Sequence, residues 1–95
     1  MIAGFQDADT DRLWKIGWCI RLPAQLHRQV LKKLYILNAV LRLENLMAPP
    51  GNQLERLLGD RKGQHSIRIN DLYRICFVWH DGNAHEVEVA DYNTE

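Results

Sequence analysis

Arg68 and Arg74 are the residues whose spacing most directly suggests chemistry. Ile67 and Ile69 alternate with Ser66 and Arg68, and Tyr73, Ile75, Phe77 and Trp79 alternate with Arg74, Cys76 and Val78. That is the period-2 pattern of half-buried strands. A hairpin with Asn70-Asp71-Leu72 as its loop keeps the apolar set on one face, and it pairs Ile67 with Ile75 and Arg68 with Arg74. Like charges placed directly opposite are destabilising on a sheet. An anion would relieve them, because guanidinium groups grip phosphate through fork-shaped donor arrays. In the last strand, Tyr92 falls on the same face, diagonal to Arg74, where a phenol can donate a proton or stack on a base. Glu88, the other diagonal neighbour, carries the alternative reading, in which a carboxylate and solvent satisfy both arginines.

The elements that must hold this constellation follow from periodicity. Ile2 to Phe5 is short and apolar and reads as a first strand. Asp7, Asp9 and Asp11 suit a helix N-terminus, and the helix carrying Leu13, Trp14 and Ile16 should stop near Gly17. Pro23 fits the first turn of a second helix, in which Leu26, Val30, Leu34, Leu37 and Leu41 form one apolar stripe. A short helical piece from Leu43 to Met47 ends at Ala48-Pro49-Pro50-Gly51, and nothing helical is needed afterwards. Three strands follow. Around Asp81-Gly82 a three-residue loop pairs Ile75 with Val89 and Phe77 with Val87, keeping apolar residues together. The fold class is α+β, with an N-terminal strand and two to three helices packed on one face of a mainly antiparallel sheet.

Composition narrows the class. The 95 residues suffice for one small domain, and 46% hydrophobic with 25% charged residues is ordinary for a globular chain. No run approaches a membrane span of about 20 apolar residues, and the first residues do not resemble a signal peptide. Cys19 and Cys76 have no metal-ligand spacing, which fits a reducing cytoplasm. Net charge is zero but uneven: seven basic residues and no acid lie between Arg12 and Arg42, and five acids with no Lys or Arg between Asp81 and Glu95. Such a chain can present one positive face or merely solvated helix surfaces.

Several stretches carry a resemblance. Pro49-Pro50-Gly51-Asn52, the block from Gly59-Asp60-Arg61-Lys62-Gly63 through Ser66-Ile67-Arg68-Ile69-Asn70-Asp71, Tyr73-Arg74-Ile75-Cys76-Phe77, and Val89-Ala90-Asp91-Tyr92 resemble the HigB-type toxins of the RelE/ParE superfamily. The likeness extends over essentially the whole chain and implies a single toxin domain over 1–95. It implies a cytoplasmic, ribosome-dependent endoribonuclease that cuts mRNA without metal or other cofactor, through attack of a ribose 2′-hydroxyl on its own 3′-phosphate. It also implies a helix-turn-helix antitoxin as partner, operator DNA contacted only through that antitoxin, and no membrane partner. Such chemistry needs a base, cations for the developing phosphorane charge, and an acid for the leaving oxygen.

Residue by residue, the resemblance makes Arg74 the phosphate-stabilising arginine and places Asp91, Tyr92 and Asn93 at the catalytic C-terminal motif. Arg56, Arg61, Lys62 and Arg68 are the expected RNA-backbone contacts. Two departures stand out. The motif ends in histidine where this chain has Asn93, and an amide cannot exchange protons near neutral pH. A lysine often precedes the Gly-Asp-Arg turn, where this chain has Leu58, and some members carry a histidine at the position of Glu55. Attenuated activity is one implication, and a catalytically decayed toxin that still binds its antitoxin and modulates transcription is the alternative. The gyrase-poisoning ParE branch is disfavoured by the Gly59–Phe77 block. Among the remaining residues, His65 should pack on the helix side, and His85 should share the face of Trp79. His27 and His80 should be surface residues, and Cys76, Trp14, Trp18 and Tyr35 should pack.

Overall fold

The computed structural model describes residues 1–91; Tyr92 and Asn93 therefore lie outside the described residues. Helix α1 spans Ala8–Ile16. Asp7 caps it, its carboxylate accepting from the Thr10 amide at 3.1 Å. Gly17 ends it in the left-handed region at φ 80, with its N–H donated to the Leu13 carbonyl. Helix α2, Ala24–Ala39, begins directly after Pro23 and buries Val30, Leu34 and Leu37 from the expected stripe. Leu41 lies beyond its end and is exposed. The piece Leu43–Met47 is a 3-10 turn, and two more such turns, Pro50–Asn52 and Gly59–Arg61, follow it. The expectation that nothing helical comes later is corrected at these two short turns, whose lengths are below what apolar periodicity can register.

Four antiparallel strands form one sheet in the order β1-β2-β3-β4: Glu55–Arg56, His65–Arg68, Tyr73–His80 and Asn83–Asp91. The N-terminal strand is reduced to two parallel bridges on the outer edge of β4, Ile2 with Ala84 and Phe5 with Val87. The Ala3 amide donates to the Ala84 carbonyl at 2.7 Å, and the Val87 amide to the Gly4 carbonyl at 3.0 Å. Farther along that edge, the Val89 N–H donates to the Thr10 hydroxyl at 3.2 Å, and Arg21 donates to the Val89 carbonyl at 3.1 Å. An edge that would otherwise template association is thus occupied along its length.

Register follows the sequence expectation between β2 and β3, with Ile67 opposite Ile75 and Arg68 opposite Arg74. Between β3 and β4, Ile75 does face Val89, but the loop expectation is corrected. His80 pairs with Asn83, leaving a two-residue Asp81-Gly82 turn with positive φ of 51 and 76, as a tight hairpin demands. Parity is restored farther on by a β-bulge, where the pairs Cys76–Glu88 and Val78–His85 leave Phe77 against both Glu86 and Val87. Glu86 takes the strained position, φ 51. Glu86→Gly should therefore raise stability by roughly 0.5–1 kcal/mol, read as a higher urea midpoint; a lower midpoint would count against the strain. The bulge also corrects the expectation for His85. It faces Val78, not Trp79, and so lies on the side of Arg74.

The main core lies between helices and sheet, where Leu13, Val30, Leu34, Leu37 and Leu46 meet Ile67, Ile75, Phe77, Val87 and Val89. Each such side chain contributes about 1.5–3 kcal/mol by leaving water. The expectation that His27 lies on the surface is also corrected: it is buried, 7% exposed, with Nε2 3.1 Å from the Leu22 carbonyl and 3.9 Å from Cys19 Sγ. Its partner is a carbonyl five residues back in the inter-helix loop, a contact that helical period cannot reveal. Trp14 packs against Tyr35 with ring centroids 5.0 Å apart. Among the described residues, no helix is long and apolar enough to cross a membrane.

Candidate anion site on the far face of the sheet

Strand parity places Ser66, Arg68, Arg74, Cys76, Glu88 and Ala90 on the face turned away from the helices. With the helices expected on one face only, this opposite face should lie open, and the structure corrects that. The chain from Gln53 to Gln64 lies over part of it. Its short strand β1 joins the sheet edge through Glu55–Ser66 and Arg56–His65, and Leu57 packs on Cys76 and Ala90 as a small second core. The Leu57 amide donates to the Gln64 carbonyl at 2.9 Å, closing the loop base. Arg61 fastens the loop to the sheet, with Nη1 2.6 Å from Glu88 Oε1 and 3.2 Å from Gln64 Oε1. A two-residue strand with one apolar anchor gives too little periodicity to be read in advance.

Arg74 is consequently only 5% exposed. Its Nε donates to Ser66 Oγ at 2.7 Å, and Nη2 donates to the Gln53 carbonyl and to the Ser66 carbonyl at 3.4 Å. Nη1 lies 4.0 Å from Glu55 Oε1. Gln53 presents its carbonyl from a left-handed conformation, φ 42. The planar guanidinium is thereby fixed in one orientation by acceptors along several of its edges, an arrangement a lysine could not reproduce. Ser66 and Gln53 were missed as site residues. The parity of Ser66 with Arg68 was the available signal, whereas a backbone carbonyl leaves none.

Arg68 stands opposite Arg74 as the register requires, but its guanidinium turns to Asp71. Glu88, which the alternative reading assigns to these two arginines, pairs with Arg61. Lys33 of α2 donates to Asn52 Oδ1 at 2.6 Å, and the buried Asn52 amide in turn donates to the Leu46 carbonyl. Burial first, then the nearby Lys32 and Arg68 charges, hold the Lys33 pKa below its ordinary value. Arg56 and Lys62 are exposed and, with Leu57, Leu58 and Gly63, line a hollow of about 380 Å³. Asp91 pairs with Tyr73, which puts it by register on the helix-facing side, opposite to that of Arg74. Among the described residues, no group of three or more His, Cys, Asp or Glu is placed to hold a metal ion.

His65 sits on the helix-facing side as expected, stacked on Phe77 with centroids 6.2 Å apart. Its Nδ1 is buried and has no hydrogen-bond partner among the described residues. Burial, and secondarily the Arg56 charge, push its pKa below the usual histidine value. Folded His65 thus resists a proton that the unfolded chain accepts, so stability is full above about pH 6.5 and falls as pH drops below it. His65→Gln should flatten that decline, as measured by urea midpoints between about pH 5 and pH 8. An unchanged slope would assign the acid sensitivity to other groups. His80 is exposed as expected, 3.1 Å from Asp81.

The chain matches the model of the HigB-like toxins, described as the RelE-like toxin of the type II toxin–antitoxin system HigB, over residues 3–92. It is similar to Toxin HigB-1 of Vibrio cholerae serotype O1, with 43% identity over 63 residues that cover 66% of this chain and 66% of that protein. An uncharacterized protein of Haemophilus influenzae shares 27% identity over 67 residues, covering 70% of this chain and 66% of the relative. The matched stretch thus spans about two thirds of the length of both relatives. Taken with two helices packed on an antiparallel four-stranded sheet, these matches settle the family: the chain belongs to the HigB-like toxins of type II toxin–antitoxin systems.

Proposed function

We propose that the chain is a cytoplasmic toxin that cuts mRNA on the ribosome and is silenced by a helix-turn-helix antitoxin, with operator DNA reached only through that antitoxin. The observation that supports this reading is the Arg74 guanidinium, held by Ser66 and the Gln53 carbonyl beside the in-register Arg68. The ribose O2′ gives up its proton to solvent as it attacks the adjacent phosphorus, the P–O5′ bond breaks, and the products are a 2′,3′-cyclic phosphate and a 5′-hydroxyl. Arg74 offsets the charge gathered on the phosphorane oxygens. Tyr92 protonates the leaving O5′, with Asp91 and Asn93 completing the C-terminal motif. Arg56, Arg61, Lys62 and Arg68 bind flanking phosphates. Phosphate contact at Arg74 requires Glu55 to swing aside or the Gln53–Gln64 segment to lift, since both cover that guanidinium.

A second reading, a non-cleaving protein that binds the antitoxin and adjusts transcription, draws on a specific observation. Guanidinium groups on this face already meet carboxylates, as Arg61 with Glu88, Arg68 with Asp71, and Arg74 with Glu55. Inducing the chain with and without its proposed helix-turn-helix antitoxin separates the two readings. Arrest of growth with broken transcripts, relieved by the antitoxin, supports the nuclease. Antitoxin binding without arrest supports the alternative.

A further inference from the structure

Outside the anion site, the strongest unassigned feature is the outward face of α2. Arg28, Gln29, Leu31, Lys32, Tyr35 and Ile36 line a groove of about 930 Å³ there. Tyr35 is 62% exposed although it touches Trp14, and α2 contains no acid. Neither Arg28 nor Lys32 meets a carboxylate among the described residues. The surrounding sequence from Arg12 to Arg42 offers them none either. An apolar strip flanked by uncompensated cations is complementary to an amphipathic helix that places aliphatic teeth at i, i+3 and i+4 and acids beside them.

We propose that the outward face of α2 is a docking surface for an acidic, amphipathic segment of the antitoxin. This rests on the reading of the chain as an antitoxin-bound toxin and adds the surface and the chemistry by which it is held. A second copy of this chain is the wrong occupant, because a two-fold contact would set Arg28 and Lys32 against themselves. RNA is a poorer fit, since Tyr35, the one aromatic ring among these lining residues, already lies against Trp14, and Leu31 and Ile36 offer aliphatic surface where successive bases seek aromatic planes.

Calorimetric titration of the full chain with its proposed helix-turn-helix antitoxin tests the proposal. The double variant Arg28→Glu, Lys32→Glu should bind about tenfold or more weakly, with a salt dependence smaller than that of the unaltered chain. Its thermal midpoint should stay unchanged, because both side chains are exposed. Should charge reversal impair folding, Arg28→Ala with Lys32→Ala keeps good helix formers and should still weaken binding about threefold. Affinity within twofold of the unaltered chain in a folded variant would overturn the docking surface. A 20-nucleotide polyuridine serves as the second probe, and a loss confined to this RNA, with antitoxin binding intact, would also overturn it. If the unaltered chain binds no antitoxin at all, the partner reading itself fails.

Discussion

Arg74→Ala is expected to cost the protein both its cleavage activity and roughly 3 kcal/mol or more of stability, because buried acceptors left without a donor cost about 1–3 kcal/mol each. The buried groups concerned are Ser66 Oγ and the Ser66 carbonyl; the Gln53 carbonyl, which is only part-buried, adds less. Glu55, partly exposed, adds less because solvent screens it. For a domain of this size each kcal/mol moves the melting midpoint by about 4–8 °C, so the variant should melt more than about 12 °C lower. A loss of toxicity in this variant alone would therefore not separate chemistry from folding. Arg74→Lys does so. It keeps the charge but cannot serve Ser66 through one edge and Gln53 through another. It should fold and still cleave about 10²-fold more slowly, the usual cost of losing one oriented donor to a developing oxyanion. Wild-type cleavage by a folded lysine variant would remove Arg74 from the mechanism.

The second large effect is a gain. Asn93→His combined with Leu58→Lys should raise single-turnover cleavage by about 10²-fold, the contribution of one well-placed general acid or base. The Asn93 amide cannot take up or release a proton near neutral pH, whereas an imidazole titrates there. Leu58 is 79% exposed and precedes the Gly59–Arg61 turn, so lysine should cost little packing. It would add a cation to the hollow already bounded by Arg56 and Lys62. The rate of the double variant should also acquire a new pH limb near 6.5, absent from the parent. A rate and pH profile equal to the parent would place the limiting defect elsewhere, in the carboxylates that meet Arg61, Arg68 and Arg74.

Local signals made much of the fold legible. Three aspartates and Gly17 bracket α1, Pro23 opens α2, and the apolar parity of Ile67 and Ile75 fixed the Arg68–Arg74 register. The Asp81-Gly82 hairpin shows where parity reasoning stops. A longer loop and a tight turn followed by a bulge restore the same Ile75–Val89 pair, and only the second suits positive φ at both turn positions. His85 changed faces for that reason. The covering of Arg74 was hidden for a different one. Leu57 is a single apolar residue in a stretch without period, and the Gln53 carbonyl belongs to the backbone, which sequence pattern does not describe. Long-range pairing is equally silent, as with Arg61 and Glu88, 27 positions apart.

Programmed ribosomes with a 5′- and 3′-end-labelled transcript give the most direct measurement, because they report both the break and the chemistry of the ends it leaves. The expected result is a cut that depends on translation, leaving a 2′,3′-cyclic phosphate and a 5′-hydroxyl, and that becomes about 10²-fold slower with Arg74→Lys. An intact transcript at saturating protein, or ends bearing a 3′-hydroxyl, would contradict a nuclease site built on Arg74.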